Sequence, residues 1–217
     1  MAKPKIGVIG TGPVGQSLAN GFLRHDYEVM RGSRDPAKLA EWKRGAGAKA
    51  ATGTFADTAK SADLVVLAVK GTAAESAIDL CGAANLARKT VIDTTNPIAE
   101  SPPAKGVLHF FTTLEDSLME RLQRRVPDAR FVKAFSCVGN PQMVDPKLPG
   151  GPPTMFMCGN DAAAKDQVKA ILTEFGWDIE DLGAAEAARA IEPLAILWCI
   201  PGFLQNRWNH ALKLLRA

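Results

Sequence analysis

A glycine-rich turn near the start of the chain is the feature that most narrows the possible folds. Gly10, Gly12 and Gly15 follow the apolar run 5–9 and precede a helical repeat of apolar side chains that starts at Val14. In this strand–turn–helix setting the first glycine permits a tight turn, the second lets a phosphate approach the backbone, and the third permits close helix–strand packing. The helix N-terminus then faces the phosphates, so the turn predicts a dinucleotide site. The residues of this site are Gly10, Thr11, Gly12, Pro13, Val14 and Gly15.

Short apolar runs alternate with helical patterns through the first two thirds of the chain. A run such as 64–69 (LVVLAV) is apolar at every position, which is typical of parallel strands that are covered on both faces. The alternation therefore predicts an α/β fold with a doubly wound, Rossmann-like parallel sheet. The predicted strands span 5–10, 27–31, 64–69, 90–94, 131–135, 155–158 and 177–180. The predicted helices span 14–23, 36–44, 73–81, 115–125 and 162–175, with a helical tail from about residue 185.

A proline-rich segment divides the chain. Residues 140–154 contain five prolines and two glycines, a composition that excludes a helix or a strand and is typical of a lid, a binding loop or a linker. We therefore expect a dinucleotide-binding domain over 1–139, this loop over 140–154, and a small C-terminal α/β and helical portion over 155–217.

The helical tail is apolar on nearly every side between Leu194 and Leu204, and its pattern becomes amphipathic from there to Leu215. A helix that is apolar all round must be buried. Two explanations remain open at this point, burial in a homodimer interface and burial within the chain's own domain. The continuous apolar stretch has 11 residues, which is too short to predict a transmembrane helix.

The end of the second predicted strand favours NADP(H) over NAD(H). A NAD-binding protein carries Asp or Glu about 20 residues after the first glycine, where the carboxylate binds the ribose hydroxyls. This sequence has Arg31, Ser33 and Arg34 in that region, with Lys38 one helical turn further on. Guanidinium groups bind phosphate oxygens in pairs, so these residues predict a site for the 2′-phosphate of NADP(H). The alternative is a solvated basic loop that Asp35 partly neutralises.

The composition argues against several other classes of function. The net charge of +3 is small and the basic residues are scattered, so nucleic-acid binding is not predicted. The four cysteines are widely spaced and form neither a CxxC pair nor a Cys/His cluster, so neither a metal site nor a disulfide framework is indicated. A strand pattern that begins near residue 4 leaves no room for a signal peptide. We expect a cytoplasmic protein with a small-molecule redox partner and no membrane partner.

A set of further motifs is spaced along nearly the whole chain. They are IGVIGTGPVG (6–15), GSRDPAK (32–38), LVVLAVK (64–70), VIDTTNP (91–97), VKAFSCVG (132–139), MFMCGND (155–161) and DLGAAEAARAIEPLAILW (181–198). The set resembles the coenzyme F420-dependent NADP oxidoreductases, a family whose dinucleotide fold also occurs in the cytoplasmic domain of the STEAP metalloreductases. One departure is at Ser136 and Cys137, where family members often carry His or Asn after the Ala-Phe pair.

The resemblance implies roles for residues that follow the predicted strands. Those implied to hold the 2′-phosphate side of NADP(H) are Thr11, Ser33, Arg34 and Lys38. Those implied to lie along the cofactor or near its nicotinamide are Ala68, Val69, Lys70, Asn96, Pro97, Ala134 and Phe135. The resemblance also implies hydride transfer between NADP(H) and a deazaflavin (F420-like) or flavin partner.

Hydride transfer between two redox heterocycles depends on placement more than on acid–base side chains. The chain has no Tyr-x-x-x-Lys pair, and no carboxylate is predicted to pair with any of its three histidines. The remaining catalytic candidates are His109, on the side expected for the second substrate, and Cys137, which follows a strand end.

Two other functions remain open. One is an NADPH-dependent reductase of a small imine or carbonyl compound, which would need a proton donor such as His109 or Lys70. The other is a non-catalytic NADP(H)-binding sensor or interaction module, with which the apolar tail is compatible.

Overall fold

Eight strands form one sheet across residues 3–216, the part of the chain that the computed structural model describes. They are β1 (Ile6–Ile9), β2 (Val29–Gly32), β3 (Ala50–Gly53), β4 (Leu64–Leu67), β5 (Thr90–Asp93), β6 (Arg130–Lys133), β7 (Thr154–Gly159) and β8 (Asp178–Asp181). Their spatial order is β3-β2-β1-β4-β5-β6-β7-β8, and every neighbouring pair is parallel except β6 with β7. The order of the first six strands is that of a doubly wound dinucleotide-binding sheet, so the predicted fold class is confirmed.

Helices cover both faces of this sheet. They are α1 (Pro13–Arg24), α2 (Ala40–Gly45), α3 (Phe55–Ser61), α4 (Ala74–Cys81), α5 (Ala83–Leu86), α6 (Leu118–Arg125), α7 (Ala162–Glu174), α8 (Ala188–Ile191) and α9 (Leu194–Gln205). Fully buried side chains of α1 and α7 belong to the apolar cluster on one face, and those of α3, α4, α6 and α8 belong to the cluster on the other. Each large apolar side chain buried in this way contributes about 1.5–3 kcal/mol, which explains why the fully buried strands β1 and β4 contain no polar side chain.

The sequence analysis missed β3 and α3. The four residues of β3 read AATG and include no large branched or aromatic side chain, so nothing in them indicates a strand. By contrast, α3 carries a readable start signal, because Thr54 and Asp57 form a capping box. A capping box also corrects the start of the predicted helix 115–125, because Ser117 and Glu120 cap it and α6 begins at Leu118.

The end of the helical tail was predicted wrongly. The helix stops at Gln205, because Asn206 adopts a left-handed conformation (φ 51°) and reverses the chain. The following residues are not helical. They run back over the C-terminal strands, where Thr154 N–H donates to the carbonyl of Leu212 at 2.9 Å. The apolar pattern up to Leu215 therefore reflects packing of an extended segment.

The helical stretch before that reversal is longer than the apolar window in the sequence. It runs from Ala185 to Gln205 and is long and apolar enough to cross a membrane by length and composition, with a mean hydropathy of 1.4. Only 33% of its most apolar window is buried in the structure. Burial within its own domain, one of the two explanations left open, therefore accounts for a minor part of this helix.

An ion pair attaches the start of this helical stretch to α6. Arg189 donates to both carboxylate oxygens of Glu120, at 2.6 and 2.9 Å. These hydrogen bonds, together with those from Ser117, lower the pKa of Glu120 to about 2 even though burial opposes the shift. Because the pKa in the folded protein lies below the unfolded value of about 4.3, the carboxylate stabilises the fold above that pH and this contribution is lost as the pH falls towards 2.

We expect Glu120→Gln to lower the free energy of unfolding at pH 7 by about 1–2 kcal/mol. This is the usual contribution of a charged hydrogen bond, reduced because Arg189 is partly exposed to solvent. The difference in free energy of unfolding between wild type and variant, measured by denaturant unfolding, should become smaller as the pH falls from 5 to 3. The exposed Glu115→Gln is the matched control and should show no such pH-dependent difference. A difference for Glu120→Gln that stays constant with pH would contradict the assignment.

Candidate functional site

The glycine turn joins β1 to α1 at the carboxyl edge of the sheet. Gly10 has φ +139°, and a Cβ there would lie 2.2 Å from the carbonyl oxygen of Ala68, so only glycine fits. At Gly12, the N-cap of α1, a Cβ would meet no atom within 4 Å. The backbone at Gly12 therefore faces open space, beside the first N–H groups of the helix.

A groove crosses the carboxyl ends of β1 and β4. It consists of two pockets, a β2-side pocket of about 320 Å³ and a β5-side pocket of about 660 Å³. Gly12, Ala68, Val69 and Lys70 line both pockets, so the two are continuous over the glycine turn. In an open α/β sheet this edge, where the strand order reverses, is where ligands bind.

The β2-side pocket is basic. It is lined by Thr11, Ser33, Arg34 and Lys38, which the sequence analysis singled out. Among residues 3–216 neither Arg34 nor Lys38 forms an ion pair, and both side chains are exposed. The carboxylate of Asp35 does not pair with Arg34, because it accepts a hydrogen bond from the N–H of Ala37 and caps the turn that follows. Arg34 and Lys38 are therefore available to a ligand that enters this pocket.

The β5-side pocket lies between the segment after β4 and the segment after β5. These two segments touch at Gly71, where a Cβ would lie 1.9 Å from the carbonyl oxygen of Asn96. The amide of Asn96 is fixed by Ser136, because Asn96 Nδ2 donates to the Ser136 carbonyl and Ser136 Oγ donates to Asn96 Oδ1, both at 2.8 Å. The charged residues that line this pocket are Lys70 and Glu100, and both are exposed.

A buried charge network supports the wall that carries Asn96. Lys133 Nζ lies 2.6 Å from Asp93 Oδ2 and 2.9 Å from Glu192 Oε1, and all three side chains are buried. The same ammonium donates to the carbonyl of Thr95 at 2.8 Å. Burial alone would lower the pKa of Lys133, but the two carboxylates raise it above its ordinary value. The lysine is therefore charged and holds the segment after β5 in place.

Glu192 connects this network to the C-terminal helices. Its two carboxylate oxygens accept hydrogen bonds from the N–H groups of Leu118 and Met119, both at 3.0 Å. The carboxylate thus caps the N-terminus of α6, where the helix dipole also favours a negative charge. The sequence analysis did not find this network. The available signal was a charged residue at the carboxyl end of each of two successive predicted strands, Asp93 in β5 and Lys133 in β6.

Comparison with known proteins identifies the family. The family model for coenzyme F420-dependent NADP oxidoreductases matches residues 5–97. A solved structure from Arthrobacter sp. FB24, described as a candidate F420-dependent NADP reductase, is 35% identical, and the match covers 99% of this chain and 100% of that chain with a TM-score of 0.93. This chain belongs to the coenzyme F420-dependent NADP oxidoreductases. The resemblance seen in the sequence motifs is confirmed, and the chain is an NADP-dependent oxidoreductase.

More distant relatives share the fold of this family. Metalloreductase STEAP3 of Rattus norvegicus is 28% identical over 207 residues, which are 93% of this chain and 39% of that protein. The chain therefore spans well under half of that relative. An imine reductase of Streptomyces aurantiacus is 20% identical with a TM-score of 0.69, and the match covers 92% of this chain and 63% of that chain. At this level of identity the match shows only that the two chains share a fold.

Four residues predicted to contact the cofactor do not line the groove. Ala134 and Phe135 are buried in the core, where Phe135 packs edge-on against Trp177. Pro97 is buried beside Gly71. Arg31 is 1% exposed and lines a side cleft with Thr11 and Lys38 instead of the groove itself. None of the four lines either pocket of the groove, so their contact with the cofactor stays a prediction.

The candidate nucleophile and the histidines also differ from expectation. Cys137 is buried, and burial raises the pKa of its thiol to about 12, so it is not a thiolate nucleophile at neutral pH. His25 was expected to have no carboxylate partner, yet its Nε2 lies 2.9 Å from Asp145 Oδ1, a contact that joins residues 120 positions apart. His210 stacks on Trp198 with ring centroids 5.0 Å apart. His109 is exposed, and its carbonyl accepts a hydrogen bond from the N–H of Ala99 at the rim of the β5-side pocket.

Two glycine substitutions separate folding from binding. Gly12→Ala should keep the wild-type unfolding temperature, because its methyl group enters open space, and should weaken dinucleotide binding at least tenfold by blocking the phosphate approach. Gly10→Ala should lower the unfolding temperature, because its methyl group collides with Ala68. Calorimetric titration and thermal unfolding measure both. Unchanged dinucleotide affinity in a folded Gly12→Ala variant would contradict the placement.

Proposed function

We propose that the groove binds NADP(H), with the 2′-phosphate in the β2-side pocket and the nicotinamide in the β5-side pocket. The open backbone at Gly12 and the N–H groups at the start of α1 suit the diphosphate between them. The unpaired Arg34 and Lys38 suit a doubly charged phosphate, and the hydroxyl groups of Thr11 and Ser33 add hydrogen bonds. The family membership supports the same choice of dinucleotide.

The expected preference for NADPH over NADH follows from Arg34 and Lys38. The double substitution Arg34→Ala and Lys38→Ala should weaken NADPH binding roughly ten- to hundredfold, the range for a lost charged hydrogen bond. NADH binding should stay near the wild-type value, because that ligand has no 2′-phosphate. Arg44→Ala, an exposed arginine of α2 that does not line the groove, is the matched control. Equal weakening of both ligands by the double variant would contradict the assignment.

We further propose that the chain transfers a hydride between NADP(H) and a flavin or deazaflavin (F420-like) acceptor. The observation that carries this proposal is the character of the β5-side pocket, which has room for a second ring system and is lined mainly by uncharged groups. The hydride leaves C4 of NADPH with its electron pair, which oxidises the nicotinamide, and forms the new bond on the acceptor ring while solvent supplies the accompanying proton. The chain's contribution is to orient the two rings and exclude water, for which the fixed Asn96 wall is suited.

The test is anaerobic mixing of the protein with NADPH and either F420 or FMN. We expect the absorbance at 340 nm to fall together with bleaching of the acceptor, at a rate that depends on protein concentration. Tight NADPH binding without oxidation by any acceptor would overturn hydride transfer and favour a sensor or interaction module.

A second candidate function is reduction of a small imine or carbonyl compound. It is favoured by Lys70, which lines the β5-side pocket, and by the backbone contact of the exposed His109 with Ala99 of that pocket. Such a reaction needs a proton donor beside the hydride acceptor, and His109 and Lys70 are the available groups. If this function is correct, NADPH-dependent turnover of a cyclic imine should fall in His109→Ala or Lys70→Ala. Turnover that is intact in both variants would exclude it.

We also propose that the chain forms a homodimer through α9. Leu197, Phe203 and Leu204 are 56%, 44% and 59% exposed on this helix. Leu204 packs against Gly106, and this contact joins the helix face to the exposed Val107. An apolar surface of this kind marks an interface, and a second copy of the chain is the partner that is always present.

The homodimer predicts a change of mass on substitution. Leu197→Glu with Leu204→Glu should halve the mass measured by light scattering, without lowering affinity for NADPH. Leu182→Glu, which changes an exposed leucine outside α9, should leave the mass unchanged. A wild-type chain of monomer mass would overturn the homodimer, and binding of the wild type to lipid vesicles would point to a membrane partner for this helix.

A further inference from the structure

Arg31 is a buried cation that has no counterion among the residues that the structure describes. Its side chain is 1% exposed, and among residues 3–216 no acceptor lies within hydrogen-bond distance of its Nε. Its Nη2 donates only a long hydrogen bond, 3.4 Å, to the carbonyl oxygen of Gly10. Burial lowers the pKa of Arg31 to about 10, so the group is still charged at neutral pH.

The position of this guanidinium is fixed from one side by an aromatic ring. Its Cζ lies 4.8 Å from the ring centroid of Trp42. Trp42 is held in turn by α1, because its Nε1 donates to Asn20 Oδ1 at 2.8 Å. The arrangement keeps the charge against the back of the glycine turn.

A side cleft of about 450 Å³ leads to this charge. Thr11 and Lys38 line both the side cleft and the β2-side pocket, so they form the partition between Arg31 and the proposed 2′-phosphate site. Glu41 also lines the side cleft, but within the described residues it makes no ion pair with Arg31. A buried charge that lacks a partner is costly. A phosphate bound in the β2-side pocket would lie across the partition of Thr11 and Lys38 from this charge.

We propose that Arg31 is a specificity-determining residue that selects the 2′-phosphate of NADP(H) from behind the glycine turn. The proposal rests on the proposed binding of NADP(H) in the groove. Arg31 does not replace Arg34 or Lys38, which face the ligand. It acts across the partition, where its charge is screened less by salt than an exposed charge would be.

The test compares Arg31→Met with wild type by calorimetric titration of NADPH and NADH and by thermal unfolding. We expect the Kd for NADPH to rise roughly tenfold, as for a unit charge removed from partly buried surroundings. The Kd for NADH should not change, and the unfolding temperature should not fall, because an unpaired buried charge is removed while packing on Trp42 is kept. Arg31→Lys should keep most of the preference, because it keeps the charge.

Salt dependence gives a second readout. The contribution of Arg31 to the NADPH-to-NADH affinity ratio should persist at high ionic strength. The contribution of the exposed Arg34 to the same ratio should decline, because salt screens exposed charges more strongly.

A purely structural Arg31 would instead give Arg31→Met a lower unfolding temperature and weaker binding of both dinucleotides, and that result overturns the proposal. An unchanged NADPH-to-NADH ratio in Arg31→Met also overturns it. If Arg31→Met does not fold, loss of the preference in Arg31→Lys overturns it in the same way. If the wild type itself shows no preference for NADPH, the proposed function fails as well.

Discussion

The close approach between Gly10 and the carbonyl of Ala68 is the constraint on which the rest of the structure depends. It brings the end of β1 against the end of β4, so that α1 begins directly beside the segment that leaves β4. Any side chain at Gly10 would push these two strand ends apart. Because they stay together, the open backbone at Gly12 lies between the two pockets and the groove is continuous. The chemistry proposed for this chain follows from that continuity.

The opposite wall of the groove is the segment after β5 that carries Asn96. Its position is held by buried charges instead of by a close approach at a glycine. Lys133 holds Asp93, Glu192 and the carbonyl of Thr95 together without access to water. An ion pair buried in this way contributes little net stability, but loss of one partner leaves an uncompensated charge. The network therefore makes the segment that carries Asn96 rigid and links it to the C-terminal helices. The proposed alignment of two rings would benefit from such rigidity, because catalysis by placement tolerates little displacement.

The sequence predicted the parts of the fold that depend on local patterns. Strands that are apolar at every position, such as β4, could be read because both faces are buried, and Asp35 could be read as a cap. The direction of the Arg31 side chain could not be read, because it depends on which sheet face β2 presents to α1. The network of Lys133, Asp93 and Glu192 joins residues up to 99 positions apart through tertiary contacts alone. The end of α9 was missed because Asn206 reverses the chain within an apolar pattern.

The proposal that one groove holds NADP(H) across the glycine turn can be tested with a single structure. The measurement is a crystal structure of the chain with NADP⁺ bound. We expect the 2′-phosphate beside Ser33, Arg34 and Lys38, the diphosphate at Gly12, and the nicotinamide in the β5-side pocket near Asn96. Electron density that places the nicotinamide outside that pocket, or the 2′-phosphate away from Arg34 and Lys38, would contradict it.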